Sequence, residues 1–241
     1  MKVLSIGNSF SQDSQRYLHK LAKAENCDLF TVNLFFPGCS LQSHYNHFIN
    51  NLPNYELEIN GESVNRKVTI SEALKMDDWD VITLQQASHL STDYQTYMPY
   101  MKFLTEQVKK QCEGAKIYVH QTWAYEDKSE MLKEIAKYSA AEDMFLDLCT
   151  AYERAKKDIL ADGFIPSGKA MINAVKLGLK NTHRDGFHAS LGAGRYLLAL
   201  TWYKALTGND ILGNDFNCFD EAVTNEEREI IIKAVSTAFE K

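Results

Sequence analysis

Short apolar runs recur along this chain at intervals too long for a hairpin and long enough for a helix. "KVLSIG" at 2–7, "DLFTVNLF" at 28–35, "DVITLQ" at 80–85 and "KIYVHQ" at 116–121 are rich in β-branched and aromatic residues, and "GFIP" at 163–166 is a weaker run of the same kind. Helix-period stretches lie between them. "QRYLHKLAKA" puts Tyr17, Leu18 and Leu21 on one face, and "YMKFLTEQVKKQ" repeats the pattern with Met101, Leu104 and Val108. Further helices are expected near 126–139, 141–160, 168–179, 189–206 and 224–239. Strands that are apolar throughout and joined by helical crossovers specify a parallel sheet with helices on both faces, an α/β/α sandwich. One stretch breaks the rhythm: "YELEINGESVNRKVTI" alternates with period two around Asn60-Gly61, as a β-hairpin near 55–70 inserted between the second and third main strands would. With no internal repeat or linker, the 241 residues read as one domain over 1–241, long enough to bury a sizeable core.

Charge and composition narrow the partners. The 26 basic against 32 acidic residues leave a net charge of -6, and no Lys/Arg run is present that would neutralise phosphates, so neither nucleic acid nor an anionic membrane is expected as a partner. No apolar stretch approaches the roughly 20 residues of a membrane span. The four residues "VLSI" are too few for a signal-peptide core, so the chain as given reads as cytoplasmic, and as periplasmic or secreted where an export signal has been removed. Cys27, Cys39, Cys112, Cys149 and Cys218 are odd in number and lack CxxC spacing, which argues against a disulfide framework or a structural zinc site. Nothing in the sequence sets the oligomeric state.

The first strand stops at Gly7, Asn8 and Ser9, and on a parallel sheet that is the ligand-binding end. "GNSFSQDS" matches neither GxGxxG nor GxxxxGK[ST], so no phosphate loop is present. What remains is a small-residue turn that presents a hydroxyl, either as the cap of a following helix through Ser9 or Ser11, or as a nucleophile. A serine attacks only when a base takes its proton, and the base works best when a carboxylate orients it. Near the other terminus, "HRDGFHAS" supplies both from one turn: Asp185 lies three residues before His188, ahead of a long apolar helix.

Together these blocks resemble the SGNH or GDSL hydrolases. The Gly-Asp-Ser turn of that family matches Gly7, Asn8 and Ser9 with Asn in place of Asp, and its Asp-x-x-His block matches Asp185 and His188. Gly38 in "FFPGCSL" stands where the family's second block places an oxyanion-binding glycine. The third block departs: "VITLQQASH" offers Gln85, or Gln86 beside it, where the family has asparagine, as in the branch that includes carbohydrate O-acetylesterases. "IGNSFS", "LQQASH", "HQTWAY" and "DGFHAS" together are similar to a bacterial SGNH subgroup long described as a domain of unknown function. The resemblance implies a flavodoxin-like three-layer fold with a five-stranded parallel sheet. It also implies Ser9 as nucleophile, His188 as base, Asp185 as its orienting carboxylate, and an oxyanion hole from the N–H groups of Ser9 and Gly38 and the amide of Gln85. No metal and no organic cofactor is implied.

The remaining candidates concern substrate. His120, Trp123 and Tyr125 in "HQTWAYED" follow the fourth strand, at the ligand end, and with Gln86 are expected to contact substrate; Trp123 and Tyr125 would either stack on a sugar ring or wall the pocket. Mixed aromatics and amides favour a short acyl ester on a carbohydrate over a long acyl chain. The competing class is a non-catalytic SGNH domain that binds glycan, suggested by the departures at Asn8 and Gln85. His44 and His47, spaced i,i+3 without HExxH or a carboxylate, read as helix surface and not as metal ligands, Cys39 as a buried thiol beside the oxyanion loop, and "GAG" at 192–194 as helix packing.

Overall fold

The computed structural model describes residues 1–240. The first strand, β1 (Lys2–Ile6), leads through Gly7 and Asn8 directly into α1 (Ser9–Gln15) and then α2 (Leu18–Ala24). The crossover pattern follows: β2 (Phe30–Phe35), α3 (Leu41–Ile49), the hairpin β3 (Tyr55–Ile59) and β4 (Glu62–Val68), α4 (Ile70–Leu74), β5 (Val81–Leu84), α5 (Tyr100–Gln111) and β6 (Lys116–His120). The chain closes with α6 (Ala141–Asp158), β7 (Gly163–Ile165), α7 (Ser167–Lys176), α8 (Ala193–Thr207) and α9 (Asn225–Ala238).

The sheet has seven strands in the order β4-β3-β2-β1-β5-β6-β7, not the five expected. Strands β2, β1, β5, β6 and β7 pair in parallel. The hairpin accounts for the difference, because β3 runs antiparallel along β2 and extends the same sheet. Its turn holds Asn60 at φ 52° and Gly61 at φ 82°, the pair of positive values that a two-residue hairpin turn requires. The tip also packs closely on the end of α1: a Cβ on Gly61 would lie 2.5 Å from the Arg16 carbonyl oxygen.

Successive residues of β1 feed opposite cores. Leu4 and Ile6 lie beside Val32, Leu34, Ile82 and Leu84 and pack against the predicted stripe Met101, Leu104 and Val108 of α5. Val3 faces the other way, into a core with Tyr17, Leu18, Leu21, Leu197, Trp202 and Ile231. Apolar residues on both sides of each strand are what helices on both faces demand.

The helix expected near 126–139 does not form. Asp127 accepts a hydrogen bond from the Ala141 N–H at 2.7 Å and the Ser129 hydroxyl accepts one from the Leu132 N–H at 3.1 Å, while Lys128 and Lys137 take φ of 65° and 64°. Local side chain to backbone bonds compete with helix here, leaving one wide turn at Met131–Ile135. That turn borders the cleft described next.

Candidate active site

Asn8 shapes the turn that carries Ser9. Its side-chain oxygen caps α1 through the Phe10 N–H at 2.9 Å, and its amide nitrogen donates to the Cys39 carbonyl at 3.1 Å. The Asn8 N–H is in turn bonded to the Ser11 hydroxyl at 3.0 Å, so Ser11, not Ser9, completes the cap. Ser9 opens the helix with its hydroxyl free for other work. Neither its N–H nor that of Gly38 has an acceptor among the described residues, and both residues line the same cleft.

The partner turn comes from the other end of the chain. Nδ1 of His188 donates to the Asp185 carboxylate at 2.7 Å, and Nε2 lies 2.9 Å from the Ser9 hydroxyl, 179 residues away in sequence. Burial pushes the Asp185 carboxyl up, but the bonds from the His188 ring and from the backbone N–H groups of His188 and Phe187 outweigh it and hold the carboxyl below its ordinary range. Gly186 makes the tight turn at φ 86°, where a Cβ would press on Ser129 at 2.9 Å. Its carbonyl accepts the Glu126 N–H at 2.8 Å, which docks the turn on the loop after β6.

Behind these turns lie residues that the sequence suggested for substrate. Trp123 is fully buried: its ring stacks on Phe10 with centroids 4.1 Å apart, and its indole N–H donates to the Phe187 carbonyl at 2.8 Å. It braces the neighbours of both Ser9 and His188 and has no face left for a sugar. Gln85 donates to the Asn8 side-chain oxygen at 2.8 Å, and its own oxygen accepts from His120 Nδ1 at 2.6 Å; His120 Nε2 then accepts from Ser167 at 3.0 Å. Burial pushes His120 down to about 3, so it stays neutral. Gln86 accepts from the N–H groups of Leu41 and Ala87 at 2.9 Å each and donates to Thr96. Gln85, Gln86, His120 and Trp123 are therefore framework and not cleft wall. Among the four substrate candidates, Tyr125 alone borders the cleft, with its hydroxyl bonded to Ser88 at 2.9 Å.

His44 departs from the surface position expected of it. It is buried and pushed down to about 3 by that burial, and both it and the half-buried His47 point Nδ1 at the Tyr55 hydroxyl, at 2.8 and 3.0 Å. The hydroxyl occupies the centre between them. Cys39 sits beside this group, its thiol pushed up to about 12 by burial. No group of three or more His, Cys, Asp or Glu side chains suited to a metal occurs among the described residues.

The cleft has a volume of about 640 Å³ and opens at the carboxyl ends of the parallel strands. Besides Ser9, His188 and Gly38 it presents Gln12, Phe35, His89, Met131, Ile135 and Phe187. None of these six was singled out from the sequence. Gln12 and Phe187 could have been, since each sits one turn or less from a predicted catalytic residue; Met131 and Ile135 could not, because their stretch reads as helix.

The chain shares its fold with SGNH and GDSL-like hydrolases of known structure. The chain belongs to the DUF4886 family, a domain of unknown function, matched over residues 2–238. A crystal structure of a DUF4886 family protein from Bacteroides uniformis is 33% identical, with a TM-score of 0.91, covering 99% of this chain and 94% of that one. A candidate SGNH hydrolase from Slackia heliotrinireducens is 22% identical at a TM-score of 0.62, over 85% of this chain and 98% of its own. An acetylxylan esterase from Geobacillus stearothermophilus is 14% identical at a TM-score of 0.53, over 85% of this chain and 93% of its own, a likeness of fold. No curated protein matches at a significant level.

Proposed function

We propose that this protein is a serine ester hydrolase that removes a short acyl group, acetyl in the first instance, from a carbohydrate. The observation that carries the proposal is the Ser9–His188–Asp185 chain, with links of 2.9 and 2.7 Å joining residues from opposite ends of the sequence. Ser9 Oγ attacks the ester carbonyl while His188 Nε2 takes its proton; His188 then returns that proton to the leaving alcohol, and water releases the acyl group by the reverse sequence. Asp185 holds the Nδ1–H tautomer. The free N–H groups of Ser9 and Gly38 face the developing oxyanion, where each such donor contributes on the order of 10² to 10³ in rate. Gln85 serves this hole indirectly, by fixing Asn8 and through it the Cys39 carbonyl beside Gly38.

That indirect role weakens the reading as a non-catalytic glycan-binding domain. The departures at Asn8 and Gln85 complement each other: the Asn8 amide nitrogen donates to the Cys39 carbonyl, which an aspartate carboxylate would repel, and its oxygen receives the Gln85 amide. The short-acyl, carbohydrate reading draws support from the polar Gln12, Ser88 and His89 beside the apolar wall, and from the acetylxylan esterase that shares the fold. Acetyl, butyryl and octanoyl p-nitrophenyl esters assayed together, with acetate release from acetylated xylo-oligosaccharides alongside, test it. Acetyl turnover well above octanoyl is expected; no turnover of any ester by the wild type, equal to that of Ser9→Ala, would sink it.

A further inference from the structure

The Ser9–His188 contact joins two segments that share no strand pairing, so something must hold them in register. Asp13 lies one turn beyond Ser9 on α1, and its side chain is fully buried. Arg184 Nη1 donates to both of its oxygens, at 3.0 and 2.9 Å, and Arg195 Nε donates to one at 2.9 Å. Arg184 immediately precedes Asp185. Its N–H donates to the His188 carbonyl at 3.0 Å, closing the catalytic turn at its mouth, and its guanidinium also donates to the Ala189 carbonyl just beyond. Arg184 therefore closes the Asp185–His188 turn with its backbone and, with its guanidinium, ties the far side of that turn at Ala189 to the helix that begins with Ser9.

We propose that the Asp13–Arg184 ion pair is the strut that sets His188 against Ser9, which makes Asp13 and Arg184 positioning residues for the reaction. This rests on the reading of Ser9, His188 and Asp185 as an ester-hydrolysing triad. Misplacement of a base by about 1 Å costs on the order of 10² in rate without touching substrate binding, so the strut acts on kcat and not on KM. The pair also belongs to a longer chain of ions, since Arg195 continues to Asp220 at 2.8 Å and Asp220 to Arg16 at 2.9 Å. That chain supplies the control: cutting it at Asp220 removes ion pairs but leaves the link between the two turns intact.

The experiment compares D13N, R184K and D220N on p-nitrophenyl acetate and by the rate of Ser9 labelling with a fluorophosphonate. D13N should lower kcat and labelling together by about 10- to 100-fold with KM within about twofold. R184K, which keeps the charge but replaces the planar guanidinium whose Nη1 makes all three bonds with a flexible ammonium, should fall between D13N and wild type, and D220N should keep kcat within about twofold. Wild-type kcat in D13N, a loss confined to KM, or an equal loss in D220N would overturn the strut. Should D13N fail to fold, R184K decides by its loss of kcat and of Ser9 labelling, since Arg184 also lines the cleft and its KM is not a clean readout: wild-type kcat and labelling in R184K overturn the strut. If the wild type neither hydrolyses ester nor labels, the triad reading itself fails, and the strut is then read from the downfield Nδ1–H proton resonance of His188, identified by its loss in H188A. Its loss in D13N and retention in D220N support the strut; its retention in D13N overturns it.

Discussion

Asn8 is 1% exposed and bonds both polar atoms of its side chain within the protein, whereas Asp185, its counterpart in the other turn, leaves 43% of its side chain in solvent. The proposed nucleophile turn rests on a buried polar row that runs Asn8, Gln85, His120, Ser167 across the ends of three strands into α7. The proposed acid–base turn rests on backbone bonds, one indole and one guanidinium at its rim. On the proposed mechanism the difference matches different tasks. The proposed oxyanion donors, whose geometry must not vary, belong to the fixed side, and the proposed proton carrier belongs to the side that solvent can reach.

The largest effect should come from the contact between the two sides. Ser9→Ala and His188→Ala should each lower kcat/KM for a short acyl ester by about 10⁴-fold or more, and the double variant should cost little beyond either, because nucleophile and base act as one unit. Losses that multiply would mean the two turns contribute independently. Next comes Asp185→Asn. A carboxylate this exposed has water as a partial replacement, so the loss should be on the order of 10² to 10³, smaller than the roughly 10⁴ found where the triad carboxylate is buried. A loss as large as that of His188→Ala would erase the contrast drawn between the turns.

How far the sequence showed these two turns differs in the same way. Strand runs, the Asn60-Gly61 hairpin and the helix stripes of α5 were legible because periodicity is local. Ser9 and the Asp185/His188 pair were legible because each stands at a recognisable break in that periodicity. Trp123, expected either to stack on a sugar ring or to wall the pocket, does neither, and the sequence could not show that Phe10 and Phe187 already occupy its ring and its N–H. Gln85 was read as an oxyanion donor for a related reason: its partner Asn8 lies 77 residues away, and only their contact turns two odd residues into one hydrogen-bonded pair. Asp13 and Arg184, 171 residues apart, left no local signal, since a charge one helical turn past a serine looks like any solvated face.

Gln85 tests the fixed side directly. Gln85→Ala leaves the Asn8 oxygen short of one donor and the buried His120 Nδ1–H without an acceptor, which should destabilise the fold by about 3 kcal/mol in denaturant unfolding. Its effect on kcat should stay within about tenfold, because the Ser9 and Gly38 N–H groups remain. A kcat loss of 10² or more with unchanged stability would put the Gln85 amide in the oxyanion hole after all.

The smallest effect expected of a single residue is on pH-dependent stability, and it compares the two sides through one histidine behind each. Burial lowers His120, behind the nucleophile turn, to about 3, and His183, which donates Nε2–H to the Ala124 carbonyl behind the acid–base turn, to about 4. His44 beside the oxyanion loop is likewise lowered to about 3. Each is neutral when folded but takes up a proton near its ordinary value of about 6.5 when unfolded. The unfolded chain then binds more protons, so this stability is present above about pH 6.5 and is lost as pH falls toward 4. Glu58 opposes the trend, because burial raises its carboxyl and the folded state holds the proton longer. Each of the three histidines should account for about 2 kcal/mol of the loss between pH 7 and 5 by urea unfolding, less what Glu58 returns, with proton uptake on unfolding at pH 5. His120→Asn and His183→Asn should each flatten the slope by a similar share if both turns stand on neutral imidazoles. A slope carried by His120 alone would mean that only the nucleophile turn depends on its buried row, and a wild-type stability flat from pH 7 to 5 would remove neutral buried histidines from the account of either turn.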